Sequence, residues 1–292
     1  MQLEPDWPAL AMERATLFGL HDTLGYNPVQ LRRYWGYMRA RTPLPVFYNA
    51  AVIDLPTLRD ARLLGARYLG VPTGIAAPLA GRLTSRADGY DLFELEGWQP
   101  RASVVSDFRI VPDAASALRT ILPTSFDPGR LAVLEIDPGI TPTPGAEPGV
   151  ATYSEISPES VLIDVEAPAP SIVVVRTSFD EGWAATIDGE PATVMPVDGF
   201  LQGVAVTAGK HRVRLTYRDD AVTWGLGLGA TAWLLVVAGA AIAFVMERRS
   251  VKTTPANRAN EAGAMRNAKR PLVLMKPTPM PRKLASKMKF VK

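Results

Sequence analysis

The chain contains no cysteine and only two histidines among its 292 residues. The absence of cysteine excludes a disulfide, a thiol nucleophile and a zinc site with thiolate ligands, but it is compatible with any redox compartment. Neither His21 nor His211 has a second histidine or a carboxylate at the i+3 or i+4 spacing of a helical metal site. The sequence therefore predicts no metal centre, and it predicts a solvated His211 beside Lys210.

The chain also lacks the short motifs of several enzyme classes. Neither the G-x-S-x-G elbow of α/β-hydrolases nor the G-x-x-x-x-G-K-[ST] phosphate-binding loop occurs in it. GLGLGATA at 225–232 resembles a dinucleotide-binding loop superficially, but it lies within a long apolar run and lacks a βαβ setting. These residues predict no cofactor.

Charge is divided sharply along the chain. Residues 247–292 contain 13 Lys and Arg against two acidic residues, whereas residues 1–246 contain 19 basic and 27 acidic residues. The positive excess of the whole protein thus belongs to the C-terminal tail and does not indicate a nucleic-acid-binding body. The tail carries four prolines between 271 and 281, so we expect it to be disordered and held against anionic lipid headgroups.

A run of 26 residues without a charge, 221–246, lies between these two regions. As an α-helix it would be ~39 Å long, enough to cross a hydrocarbon core of ~30 Å with some tilt. Aspartates precede the run and arginines follow it, so the positive-inside rule predicts one transmembrane helix with an extracytoplasmic body and a cytoplasmic tail. The alternative is a buried helix of a soluble protein.

Two features of the sequence predict that this span has partner helices. Gly225 and Gly229 form a G-x-x-x-G pattern, which lets a second membrane helix approach closely, although small residues without a partner are the alternative. The N-terminal residues lack the basic and apolar regions of a signal peptide. We therefore expect the chain to be the C-terminal part of a longer polytopic membrane protein, or a truncated reading of its gene.

The periodicity of the body predicts an α+β fold. Residues 1–136 are predicted to form a mixed α/β domain, in which Asn27 and Asp113 cap the first and last of three helices. The predicted helices lie at 27–40, 56–64 and 112–122, with short strands between them.

A dense Pro and Gly segment at 137–150 predicts a linker, and residues 151–220 predict an antiparallel β-sandwich. The strands of this second domain are short apolar, β-branched runs, and they include PATVMPV at 191–197 as a single run. Asp188-Gly189 and Asp198-Gly199 predict tight turns with positive φ.

The candidate binding residues are Asp180, Glu181 and Trp183, because an acidic pair beside an aromatic ring is typical of sugar sites. Glycosidases, however, place their two carboxylates on different segments that face each other across the scissile bond. Adjacent carboxylates do not fit that geometry, so no catalytic residue is predicted. Two interpretations remain: a structural corner with Trp183 packed on the sandwich, or a non-catalytic contact with sugar.

The series SFDEGW, DG and AGKH within 178–211, followed by a membrane span, resembles the C-terminal signature of the bacterial YfhO family. HDTLGYNPVQLRRYWGYM at 21–38 and ARLLGARYLGV at 61–71 are similar to segments that begin the extracytoplasmic region of that family.

The resemblance implies a polytopic GT-C-like glycosyltransferase of the bacterial cell membrane. Such proteins move a sugar from a polyprenyl-phosphate carrier to a cell-envelope acceptor, with a catalytic carboxylate in an early extracytoplasmic loop that this chain does not contain. This part would then serve glycan recognition or structural support. The alternative is a non-enzymatic, membrane-anchored envelope module that binds glycan or a partner protein.

Overall fold

The computed structural model describes residues 21, 23, 31–42, 53, 56–87 and 89–252. Four helices occur in this part of the chain: α1 (Arg32–Arg41), α2 (Leu58–Leu64), α3 (Ala114–Ile121) and α4 (Asp220–Lys252). The first seven strands are β1 (Tyr68–Pro72), β2 (Gly81–Ala87), β3 (Tyr90–Leu95), β4 (Ala102–Val105), β5 (Phe108–Ile110), β6 (Ala132–Leu134) and β7 (Val150–Ser157). The other seven are β8 (Ser160–Ala167), β9 (Ser171–Ser178), β10 (Trp183–Ile187), β11 (Glu190–Ala192), β12 (Met195–Val197), β13 (Leu201–Val206) and β14 (Gly209–Tyr217).

Two sheets pack face to face and form a β-sandwich. One has five strands in the order β11-β10-β14-β8-β7, and the other has six in the order β4-β9-β13-β12-β6-β5. All their pairs are antiparallel except β5 with β6. Inward-facing residues of both sheets, such as Ile163 on β8 and Val173 on β9, fill the space between them. The α+β prediction with a sandwich is confirmed.

Helices α1, α2 and α3 cover the opposite face of the six-stranded sheet. A second core cluster joins Tyr37 and Met38 of α1, Leu63 of α2 and Ile121 of α3 to this face. The six-stranded sheet is therefore buried on both sides, and the first six residues of β9 are all buried. Burial on both faces explains why IVVV at 172–175 is continuously apolar instead of alternating.

The predicted domain boundary at 137–150 does not separate two compact units. The body up to Asp220 forms one unit, and the strands β4 and β9, from opposite sides of that segment, pair over four residues. Pro and Gly end regular structure locally, but they do not report which strands meet afterwards. The predicted run 191–197 is also divided, because β11 lies in the five-stranded sheet and β12 in the six-stranded sheet.

The helix predictions hold with changes at the ends. Asp113 caps α3 as predicted, since its carboxylate accepts a hydrogen bond from the Ser116 amide. Thr57 and Asp60 form a capping box on α2, and Gly65 ends this helix in the left-handed conformation. Helix α1 begins at Arg32 after an extended Leu31, so the predicted start is wrong, and the predicted cap, residue 27, lies outside the described residues.

Strand β2 is an element that the sequence analysis missed. It forms an edge of a small third sheet with the order β1-β3-β2, and six of its seven residues are exposed. A strand that buries neither face shows no apolar alternation, so its sequence carries no strand pattern.

Helix α4 contains the predicted apolar span, and the chain from Ala221 onward forms a second unit. Residues 220–249 are long and apolar enough to cross a membrane, and none of their most apolar window is buried. The exposure argues against the buried soluble helix and fits membrane association. The orientation remains a prediction, and the predicted disordered tail beyond Lys252 lies outside the described residues.

Candidate functional site

The three predicted binding residues lie in the loop and strand start that follow β9. Asp180 Oδ1 accepts a hydrogen bond from the Gly182 amide at 2.9 Å, and the Trp183 amide donates to the Asp180 carbonyl at 3.2 Å. The Asp180 carboxylate therefore closes an Asx turn around the corner.

Gly182 is required by close packing at this corner. A Cβ atom at this position would lie 2.6 Å from the Arg218 carbonyl oxygen and 2.7 Å from the Tyr217 ring. The Gly182 carbonyl also accepts a hydrogen bond from the Arg218 amide at 2.9 Å. The glycine of SFDEGW thus lets the corner lie directly against the end of β14.

Trp183 and Tyr217 form an aromatic pair beside Asp180. The two residues are register partners on β10 and β14, and their ring centroids are 5.3 Å apart at an angle of 60°. Burial, together with the nearby Asp180 carboxylate, raises the pKa of the Tyr217 hydroxyl. Trp183 is half-buried and packs on the sandwich core. Tyr217 was not predicted as a site residue, because only the strand register brings it to Trp183.

Glu181 differs from its neighbour Asp180. Its side chain is exposed, and it makes no hydrogen bond or ion pair within the described part of the chain. The two carboxylates therefore have different roles: Asp180 closes a turn, and Glu181 faces solvent. We call Asp180, Glu181, Trp183 and Tyr217 the corner site.

A larger concave surface lies on the outer face of the five-stranded sheet. This sheet groove has a volume of about 810 Å³. Its lining includes Thr152, Asp164, Glu166, Thr186, Asp188, Lys210, Arg212 and Arg214. None of these groove residues was predicted as a site, because a polar, solvated sheet face looks the same in sequence whether it is curved or flat.

The chain was compared with protein-family models, with curated proteins and with solved structures. None of them matches it. The resemblance to the YfhO family therefore remains an expectation, and the evidence on function comes from the residues described above.

His211 connects two turns at one end of the sheet groove. Its Nδ1 lies 2.8 Å from Asp188 Oδ2, and its Nε2 lies 3.1 Å from the Thr207 hydroxyl. The Arg212 amide donates to the other oxygen of Asp188 at 2.7 Å. The prediction of a solvated histidine is wrong, since only 15% of the His211 side chain is exposed.

These contacts join two of the motifs quoted for the family resemblance, DG and AGKH. Hydrolases orient a catalytic histidine through the same order of contacts, carboxylate to imidazole to hydroxyl. Here the contacts span two surface turns, and we assign them to holding those turns together. Among the described residues, no group of three or more His, Asp or Glu could hold a metal ion.

The predicted helix-packing residues lie on α4. A Cβ added at Gly225 or Gly229 would meet no atom of the described chain within 4 Å. The described part of the chain therefore does not fill the space that these glycines leave open. Packing of another helix against them remains a prediction.

Proposed function

We propose that this chain is the extracytoplasmic body and membrane span of a YfhO-like protein, in which the body binds an envelope glycan at the corner site. The observation that carries the proposal is the exposed apolar helix α4, which is long enough to cross a bilayer. An apolar helix of this length that is exposed in the described structure fits lipid or other membrane helices as its surroundings.

The corner site is close to the predicted membrane span along the chain. Only Arg218 and Asp219 separate Tyr217 from the first residue of α4. A glycan that is attached to, or growing from, the membrane surface is the ligand that such a position favours.

The carboxylates of the corner fit binding better than catalysis. Glycosyl transfer needs a positioned acid or base near the acceptor hydroxyl and a site for the donor phosphate. Asp180 is engaged in the Asx turn, and Glu181 is exposed. We therefore propose that the corner recognises sugar hydroxyls and stacks a sugar on the aromatic pair, and that a polyprenyl-phosphate donor reacts elsewhere.

Binding to soluble polysaccharides tests the proposed recognition. The detergent-solubilised full chain should be retarded in native gels that contain dextran or polygalacturonate. Glu181→Gln and Trp183→Phe should each weaken the retardation several-fold while the melting temperature changes little. Glu147→Gln is the matched control, since Glu147 is another exposed glutamate outside the corner. Retardation by neither polysaccharide, or equal effects of Glu147→Gln and Glu181→Gln, would contradict the proposal.

Transfer and topology assays test the rest of the proposal. In a host that lacks the family, the chain alone should incorporate no labelled sugar from a polyprenyl-phosphate donor. Turnover that disappears in Asp180→Asn would make the corner catalytic.

Because the chain has no cysteine, Ser154→Cys and Ser286→Cys each create a unique thiol. In intact cells an impermeant reagent should label the first and not the second.

A further inference from the structure

We propose that the sheet groove is a second glycan-binding surface, specific for glycans that carry acidic groups, with Arg214 as the residue that binds the acidic group. The inference rests on the proposed glycan-binding function and adds to it a ligand class and a separate surface.

Charged side chains on two neighbouring strands of the groove lining form pairs of opposite charge. Lys210 on β14 is the register partner of Glu166 on β8, and Arg212 is the partner of Asp164. The Arg212 Nε donates to Asp164 Oδ1 at 2.8 Å, and Lys210 Nζ lies 3.6 Å from Glu166. These two cations are therefore balanced by carboxylates.

Arg214 is the third cation of this row, and it has no such partner. It lies opposite Leu162 on β8 and Thr186 on β10. Its side chain is exposed and makes no ion pair or hydrogen bond within the described residues. A guanidinium with all its donors available, next to a threonine hydroxyl, is suited to a carboxylate or phosphate of a ligand.

The backbone of the groove favours a hydroxyl-rich ligand over a peptide strand. β10, β14 and β8 are interior strands, so the main-chain groups of each are paired with neighbours on both sides. A peptide could not add main-chain hydrogen bonds to these three strands, and of the strands that line the groove only β7 is a sheet edge. Sugar hydroxyls both donate and accept, and they match alternating carboxylates, guanidinium groups and threonines.

The size and separation of the groove support an independent site. The groove has a volume of about 810 Å³ and is open to solvent. Trp183 and Thr186 are three residues apart on β10, about 10 Å along the strand. Trp183 also packs on the core side, whereas Thr186 lines the outer face. Substitutions at the groove and at the corner site can therefore be made separately.

The experiment measures affinity of the full chain in detergent for three polymers: polygalacturonate, poly(glycerol phosphate) and neutral dextran. Polygalacturonate and poly(glycerol phosphate) present a carboxylate and a phosphate on hydroxyl-bearing chains. We expect at least one of these acidic polymers to bind about tenfold more tightly than dextran, and added salt to reduce the difference. Equal affinity for all three polymers would overturn the inference.

Three variants locate the binding. Arg214→Gln should reduce the affinity for the preferred acidic polymer about tenfold. The control Arg109→Gln, which changes another exposed arginine, should leave the affinity unchanged. Asp164→Asn should increase the affinity, because it releases Arg212 from its ion pair. An unchanged affinity in Arg214→Gln, at an unchanged melting temperature, would overturn the assignment.

The corner variants separate the two proposals. If Glu181→Gln weakens binding and Arg214→Gln does not, the corner site stands and the groove proposal fails. If Arg214→Gln weakens binding and Glu181→Gln does not, the groove stands and the corner proposal fails. Failure of every polymer to bind would contradict both.

Discussion

The two Asp-Gly turns of the sandwich have similar backbones in opposite environments. Asp188 and Asp198 have φ of 54° and 51°, and the glycines after them also have positive φ. The first turn joins β10 to β11 at an exposed end of the five-stranded sheet. The second joins β12 to β13 in the six-stranded sheet, where Asp198 is completely buried.

The different surroundings reverse the electrostatics of the two aspartates. Hydrogen bonds from the Arg212 amide and from His211 hold the pKa of Asp188 below its usual range. Burial raises the pKa of Asp198 to about 7, although the Val133 amide donates to it and Arg176 lies nearby. The same Asp-Gly pair therefore forms a turn in both places, whereas the surrounding residues determine whether the pKa of the aspartate is lowered or raised.

The two turns should differ most in the loss of unfolding free energy when the residue after the turn is replaced by alanine. Phe200 is 1% exposed and stacks on Tyr37 with ring centroids 4.5 Å apart, whereas Glu190 is exposed. Phe200→Ala should lower the free energy of unfolding by about 3–5 kcal/mol, and Glu190→Ala by less than about 0.5 kcal/mol. Denaturant unfolding of the full chain in detergent measures both. Similar losses would show that the two turns are buried alike.

The pH dependence of stability gives the next largest effect. The pKa of Asp198 rises from 3.8 to about 7 on folding. The folded state therefore binds the proton more tightly, and this contribution is complete below the unfolded pKa and lost as pH rises through about 7. Between pH 5 and pH 8 the free energy of unfolding should therefore fall by roughly 3 kcal/mol as this contribution is lost.

Two amide variants isolate that effect. Asp198→Asn should flatten the decline between pH 5 and 8. Asp188→Asn should leave that decline unchanged. It should instead remove a loss of stability on acidification, because the lowered pKa of Asp188 gives stability that is present above the unfolded pKa of 3.8 and lost as pH falls through the folded pKa. Unfolding measured across the pH range tests both, and a decline that persists in Asp198→Asn would refute the assignment.

Replacing the glycine of each turn by alanine should reveal a smaller difference in stability between the two turns. Gly189 and Gly199 have φ of 95° and 76°, so alanine at either position should cost about 1–2 kcal/mol of unfolding free energy. A Cβ at position 199 would also lie 3.3 Å from a Leu118 methyl, whereas position 189 is open. Gly199→Ala should therefore lower the melting temperature more than Gly189→Ala. The reverse order would contradict the burial of the second turn.

The smallest expected effect concerns the contacts of His211. His211→Asn removes its contacts with Asp188 and Thr207 and should cost about 1 kcal/mol of unfolding free energy. Lys210→Ala, at an exposed neighbour with a 3.6 Å ion pair, is the control and should have almost no effect. Thermal unfolding distinguishes the two, and equal effects would exclude a role of His211 in holding the turns.

The sequence predicted the elements whose pattern is produced by burial or by local hydrogen bonds. The alternation of β8, the cap Asp113 and the turns at 188 and 198 are of this kind. β2 was missed because it buries neither face. The domain boundary was misplaced because the pairing of β4 with β9 joins residues about seventy positions apart, and no local pattern encodes that distance.

The candidate site was predicted only in part for the same reason. Asp180, Glu181 and Trp183 are neighbours in sequence, so their cluster was visible, but Tyr217 joins it only through the strand register. The sheet groove combines side chains of four strands with one turn. Each of these side chains is an ordinary surface residue in sequence, and only their arrangement makes a concave surface.

The sequence by itself determined the apolar helix, the α+β class and the two Asp-Gly turns, because chain length, periodicity and φ preferences act over a few neighbouring residues. The tertiary structure decided that the six-stranded sheet packs against the other sheet on one face and against helices α1, α2 and α3 on the other, whereas the five-stranded sheet packs on one face only. It also decided that Asp198 is buried while Asp188 is solvated, and that Arg214 has no acidic partner among the residues that the structure describes. These properties depend on contacts between distant segments, and such contacts form only when the whole body folds.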